Sequence, residues 1–237
     1  MATAVLFDLG NTLAAYYHPS EFRPILAAAI RAVRDELSLR GLCDVPFEGA
    51  LEAANAETRE APDYRFRPMI ERLERIFQVP LANDEALATA LCRRFLDPIF
   101  ALGRVYEDAL PALEELRKAG VRTAIVSNAP WGSPAELWRE ELRRLRLVDA
   151  VDAVVMCGDV GWRKPAPQIF EHTMRKLDCR PEECVFVGDD IRWDIEGSAS
   201  VGMRPVLIDR DGRHPEYAGE RVSHLHAVLA LAGPWSS

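Results

Sequence analysis

Short apolar runs recur along the chain, and several stop abruptly at a polar residue. Val5-Leu6-Phe7 stops at Asp8, Ala124-Ile125-Val126 at Ser127, Val185-Phe186-Val187 at Gly188-Asp189, and Val206-Leu207-Ile208 at Asp209. A less regular run covers residues 151–156. Continuous apolar runs of this length predict strands buried on both faces, as in a parallel sheet. Between them the apolar spacing turns helical, over residues 109–119, 134–147, 165–177 and 191–201. Alternating strand and helix predicts a Rossmann-like, doubly wound α/β core. In such sheets ligands bind beyond the carboxyl ends of the strands. Asp8, Ser127 and Asp189 all fall at such ends.

One long segment breaks the alternation. Residues 15–102 contain no convincing buried strand, and their periodicity is helical throughout. Ser20 can cap a helix that carries Ile25, Ala28, Ile30 and Val33 to Leu39, with Gly41 as its stop. Further helices are expected over 47–60, 67–77 and 83–100. The expected organisation is therefore a core of residues 1–14 and 103–237 with an inserted α-helical cap over 15–102. A last helix is expected over 223–231, with His224 and His226 as surface residues.

Composition narrows the function classes. Of 237 residues, 49% are apolar and 28% charged, which is a globular profile. The 37 acidic and 29 basic side chains leave a net charge of −8, which argues against general nucleic-acid binding. It leaves room for a small phosphorylated substrate in a local pocket. No apolar run is long enough to span a bilayer, and the first residues lack a signal-peptide pattern. The five cysteines form no CxxC pair, so neither a zinc site nor a disulfide framework is expected. Reduced thiols and a cytoplasmic location are the simplest expectation. Only three basic residues are lysine: Lys118, Lys164 and Lys176.

Three segments carry the chemistry. They are Phe7-Asp8-Leu9-Gly10-Asn11-Thr12-Leu13, then Val126-Ser127-Asn128, then Lys164-Pro165 with Val187-Gly188-Asp189-Asp190-Ile191-Arg192-Trp193-Asp194. Each alone is common, since Asp-Gly turns and polar strand ends abound. Together, in this order, the chain resembles the haloacid dehalogenase superfamily in its phosphatase-like branch. The first segment resembles that family's DxDGT motif, Ser127 its second motif, Lys164 its third, and Gly188-Asp189 with Asp194 its GDxxxxD fourth. The resemblance covers the whole core and places the insertion where the family has its first type of cap.

The resemblance implies Asp8 as a nucleophile that forms an aspartyl-phosphate. It implies Asp8, Gly10 through its carbonyl, and Asp189 as ligands of one Mg²⁺, with Asp194 acting through water or from behind. It also implies Thr12, Ser127, Asn128 and Lys164 as phosphate-binding groups, with Lys164 screening Asp8 from its substrate. The charges agree. One ammonium among three carboxylates leaves two net negative charges, and one divalent cation cancels them. Oxygen-rich sites of this kind suit Mg²⁺. Asp190 competes with Asp189 for the ligand role; Asp189 directly follows the glycine, and Asp190 can cap the helix instead.

One departure matters most. The family's phosphatases carry a second Asp two residues after the nucleophile, and here that position is Gly10, with Asn11 where Gly is usual. A missing general acid/base costs on the order of 10²–10⁴ in rate. Three readings follow: a phosphatase whose leaving group needs little protonation or takes its proton from a cap residue or water, a metal-independent 2-haloacid dehalogenase, or a binding protein with weak or no activity. The retained Asp189 and Asp194 argue for a cation and against the dehalogenase. A Schiff-base mechanism needs a cap lysine, and residues 14–117 contain none. In the cap, His18 is a candidate acid/base. Arg59, Arg65, Arg67, Arg72, Arg75, Arg93 and Arg94 divide between substrate contact and solvated helix faces. Trp162 and Trp193 divide between the site entrance and packing.

Overall fold

The apolar runs become one six-stranded sheet in the computed structural model, which describes residues 2–57 and 63–232. Strand β1 (Ala4–Phe7) is followed by the two-residue strand β2 (Ala14–Ala15). Four helices come next: α1 (Phe22–Leu39), α2 (Phe47–Ala56), α3 (Met69–Phe77) and α4 (Glu85–Phe100). Strand β3 (Arg104–Val105) then pairs antiparallel with β2, so the chain leaves and re-enters the core through one two-stranded ribbon. The core continues with α5 (Ala109–Lys118), β4 (Arg122–Ser127), α6 (Ala135–Arg144), β5 (Ala153–Met156) and the single turn α7 (Cys157–Val160). It ends with α8 (Pro167–Leu177), β6 (Cys184–Gly188), α9 (Gly197–Ser200), β7 (Arg204–Ile208), β8 (Arg221–Val222) and α10 (His226–Ala232).

The sheet order is β5-β4-β1-β6-β7-β8, and every neighbouring pair is parallel. The chain builds outward from β1 to β5, then crosses to β6 on the other side. The order therefore reverses between β1 and β6, and crevices open at the carboxyl ends of strands at such a point. All four residues of β1 are buried, which is why no polar alternation marks them.

Helix α1 buries Phe22, Leu26, Ala29, Ile30, Val33 and Leu37, a stripe at helical spacing that packs on α4. Its start differs from the expectation. Ser20 lies in a 3₁₀ turn, Pro19–Glu21, and Glu21 precedes the helix without a side-chain cap. Its stop agrees: Gly41 takes φ +69° and donates its N–H to Ser38 O. The end of the helix expected over 47–60, with Arg59, lies outside the described residues. The helix expected over 191–201 is divided: residues Ile191–Glu196 form a π-helical turn and only Gly197–Ser200 is α-helical. The ribbon β2–β3 and strand β8 were not expected, because two residues carry no readable period.

The inserted helical segment contacts the sheet-bearing part of the chain. Tyr64 O accepts from Arg163 N at 2.8 Å, and Phe66 N donates to Gly161 O at 2.9 Å, so a cap loop pairs with the loop before Lys164. Arg65 lies 4.3 Å from the centre of the Trp162 ring. Trp131, from the loop after β4, reaches Phe95 of α4 at 5.0 Å between ring centres. All five cysteines are free, with Cys179 and Cys184 Sγ atoms 3.1 Å apart. No helix among the described residues is long and apolar enough to cross a membrane.

Candidate active site

Asp8 follows the last residue of β1 and donates its backbone N–H to Val187 O of β6, which seats it at the reversal point. The next turn is tight. Asn11 adopts φ 55°, the left-handed region that glycine enters freely and Asn tolerates best among side-chain-bearing residues. That conformation explains why Asn can stand where glycine is usual.

Lys164 reaches the same point from the loop before α8. Its Nζ donates to Asp8 Oδ1 at 2.5 Å and to Asp194 Oδ1 at 2.6 Å. Only 2% of the lysine side chain is exposed, so these carboxylates are its neutralising environment. Burial disfavours the ammonium, but the charges of Asp194 and Asp8 outweigh it and hold the Lys164 pKa above its ordinary value. Asn128 holds the lysine backbone from the end of β4. Its Oδ1 accepts from Lys164 N at 2.8 Å and its Nδ2 donates to Lys164 O at 3.2 Å.

Asp194 lies in the π-helical turn, flat against Gly188. A Cβ at Gly188 would overlap the Asp194 carboxylate, so this close approach requires glycine. Asp194 Oδ2 accepts from Asp190 N at 3.1 Å while Oδ1 holds Lys164. Burial, with the charges of Asp8 and Asp189, holds the Asp194 pKa well above the carboxylate range against the pull of Lys164. Asp190 Oδ1 accepts from Trp193 N at 2.9 Å and so caps the turn. Asp189 precedes the turn and faces Asp8. Burial first, and the Asp8 charge second, push its pKa up to about 6, against a hydrogen bond from Asn11 and the charges of Lys164 and Arg213.

Asp8, Asp189 and Asp194 each offer a carboxylate oxygen, and these atoms lie within 4.8 Å of one another. Opposite ligands of an Mg²⁺ octahedron stand roughly 4.2 Å apart, so the spacing fits a small divalent ion after slight closure. The raised Asp189 and Asp194 pKa values point the same way, because clustered carboxylates favour a proton or a cation between them.

These groups line a cavity of about 280 Å³. Gly10, Ser127 and Asn128 line it as well. Thr12 does not: it is fully buried, and its hydroxyl has no hydrogen-bond partner among the described residues. The rest of the wall is Leu9, Tyr16, Tyr17, Ile99, Pro130, Trp138 and Trp193; Trp193 was expected as a candidate at the entrance, while Ile99, Pro130 and Trp138 carry no motif. Tyr16 packs edge-on against Trp138 at 5.6 Å, and its hydroxyl is buried without a partner. Arg213, which pairs with Asp189 at 3.3 Å, was also missed; it comes from the loop between β7 and β8, and no motif marks it.

The cap candidates fall elsewhere. His18 is exposed and does not line the cavity. Arg75 pairs with Glu57, Arg93 with Glu140 and Arg94 with Glu36. Arg72 sits beside Glu57 and over the Trp131 ring, and Arg67 borders a separate surface depression. Trp193 lines the cavity, while Trp162 stacks beneath Arg65.

The family model for haloacid dehalogenase-like hydrolases matches residues 2–202. A protein named ribulose-1,5-bisphosphate 5-phosphatase, from Halopiger xanaduensis, is 35% identical over 219 residues, covering 88% of this chain and 85% of its own. A protein named (S)-2-haloacid dehalogenase 1, from a Pseudomonas species, is 35% identical over 130 residues, 55% of each chain. The crystal structure of a phosphatase from Thermococcus onnurineus superposes with a TM-score of 0.69 at 29% identity, covering 98% of both chains.

Proposed function

We propose that this chain, which belongs to the haloacid dehalogenase-like hydrolase family, is a Mg²⁺-dependent phosphohydrolase of small organic phosphates. One observation carries this reading: a single buried lysine bridges Asp8 and Asp194 while Asp189 completes a three-carboxylate cluster. When all three carboxylates are ionised, they and Lys164 sum to two net negative charges without a cation, and a phosphate dianion would be repelled from them. The donor set fits Mg²⁺, with Asp8, Asp189 and the Gly10 carbonyl as ligands and Asp194 behind them. When bound, Mg²⁺ supplies charge neutralisation for the phosphoryl group.

The chain's own residues supply the rest. Lys164 donates to Asp8 Oδ1 and orients its carboxylate. An Asp8 oxygen attacks phosphorus, the bond from phosphorus to the leaving oxygen breaks, and the leaving group takes the electron pair. Water then attacks the aspartyl-phosphate, releasing inorganic phosphate and restoring Asp8. Ser127, at the end of β4, faces the phosphoryl group. Asn128 is a positioning residue that holds Lys164. Core residues 1–14 and 103–237 carry the chemistry, and the cap of residues 15–102 closes the cavity over it. Five free thiols support a reducing compartment such as the cytoplasm.

Halide displacement from a 2-haloacid would use the same nucleophile. The haloacid's own carboxylate would then enter a cavity already rich in carboxylates, which disfavours that reading here. Hydrolysis of an aryl phosphate by the wild type and by Asp8→Asn, each with Mg²⁺ and with EDTA, tests the proposal.

A further inference from the structure

The apolar part of the cavity wall has a chemistry of its own. Leu9, Tyr16, Tyr17, Ile99, Pro130, Trp138 and Trp193 supply it. Among the described residues that line it, Lys164 is the only cation, and that lysine is held by Asp8 and Asp194. Four carboxylates line the same cavity: Asp8, Asp189, Asp190 and Asp194. Nearby guanidinium groups do not line the cavity and are engaged by other groups. Arg192 and Arg163 stand 4.3 and 5.5 Å from the centre of the Trp193 ring, and Arg213 pairs with Asp189. A second phosphate or a carboxylate on the substrate would be desolvated there without a counter-charge.

Gly10 supplies no acid beside the nucleophile. A Cβ there would meet nothing within 4 Å beyond its chain neighbours, so no other side chain fills that place. The hydroxyl of Tyr16 does not substitute, since burial and the Glu141 charge raise its pKa above that of an ordinary phenol. A leaving oxygen that departs as an anion must therefore be a weak base.

From these two independent features we infer that the preferred substrate is a monophosphate ester whose leaving group is uncharged, apolar and a weakly basic oxygen, as in an aryl phosphomonoester. The inference rests on the phosphohydrolase reading. The ring packs among Tyr16, Tyr17, Trp138 and Trp193, and the phosphoryl group lies at the Asp8 end. An Asp8 oxygen bonds to phosphorus and the aryl C–O–P bridge breaks at P–O. The aryloxide leaves with the electron pair and takes its proton from water. This sets the chain apart from its relative named for a bisphosphate, whose named substrate carries a second phosphate.

Three substrates test the inference on the unmodified protein with Mg²⁺: phenyl phosphate, 3-carboxyphenyl phosphate and glycerol 1-phosphate. The expected kcat/KM for phenyl phosphate exceeds that for its carboxylated analogue by at least about 100-fold. It exceeds that for the polar alkyl ester by at least about tenfold. Equal or better turnover of either competitor overturns the inference and leaves the phosphohydrolase reading standing. No Mg²⁺-dependent turnover of any of the three overturns both. A variant gives a second readout. Tyr17→Arg supplies the absent cation, and it is expected to narrow the phenyl-to-carboxyphenyl ratio by about tenfold or more. An unchanged ratio in a variant that still turns over phenyl phosphate counts against the inference.

Discussion

Lys164 Nζ lies 2.6 Å from Asp194 Oδ1, and the two side chains are each 2% exposed. A pair so deeply buried, shared with Asp8, is costly to break from one side. Lys164→Met leaves two carboxylates without their ammonium, a loss of about 3–5 kcal/mol in such settings. Urea unfolding should show that loss in EDTA and a partial recovery in Mg²⁺. Unchanged stability in EDTA would mean that the lysine does not balance the carboxylates.

Gly188 is the surface on which Asp194 rests. Gly188→Ala should displace the Asp194 carboxylate, weaken its hold on Lys164 and cost about 1–3 kcal/mol through overpacking. Phosphate turnover should fall at least about tenfold with little change in KM, since the defect lies in positioning rather than in substrate contact. A variant with wild-type kcat would show that Asp194 need not sit there.

Much of this was legible in the chain, for a physical reason. Val5-Leu6-Phe7 and Val185-Phe186-Val187 are buried on both faces, so their apolar runs end where the sheet ends and the chemistry begins. Asp8 and Asp189 could be placed from that alone. What escaped reading depends on contacts between distant segments. The ribbon of Ala14–Ala15 with Arg104–Val105 is too short to show a period. Asn128 looked like a phosphate ligand, but its side chain clamps the Lys164 backbone 36 positions away. Tyr16, Ile99 and Trp138 come from segments far apart in the chain, and each alone reads as packing. The π-helical turn at Ile191–Glu196 was read as α-helix because both periods bury similar positions over so few residues.

Metal affinity should rise with pH through the Asp189 titration. Its carboxyl is pushed up to about 6, so below that pH a proton competes with the cation. The same shift sets the stability of the metal-free protein. Between the unfolded carboxyl value, about 3.9, and pH 6 the folded state binds more protons than the unfolded one. Stability therefore falls as pH rises across that window, and Mg²⁺ reverses the fall. The rise in Tm on adding Mg²⁺ should be larger at pH 7.5 than at pH 5. An equal rise at both would exclude Asp189 as the competing group.

Gly10→Asp should fold normally, because its added Cβ meets nothing within 4 Å. It supplies the acid/base that the site lacks. Turnover of alkyl phosphates should rise by about tenfold or more, while that of aryl phosphates with good leaving groups changes little. The slope of log kcat/KM against leaving-group pKa should flatten accordingly. An unchanged slope would mean that another group already delivers the proton.

The most direct test of the central claim is phosphate release from phenyl phosphate by four samples: the wild type and Asp8→Asn, each with Mg²⁺ and with EDTA. The account predicts turnover in the wild type with Mg²⁺ and loss to background in the other three. Turnover that persists in Asp8→Asn, or that is indifferent to EDTA, would contradict it.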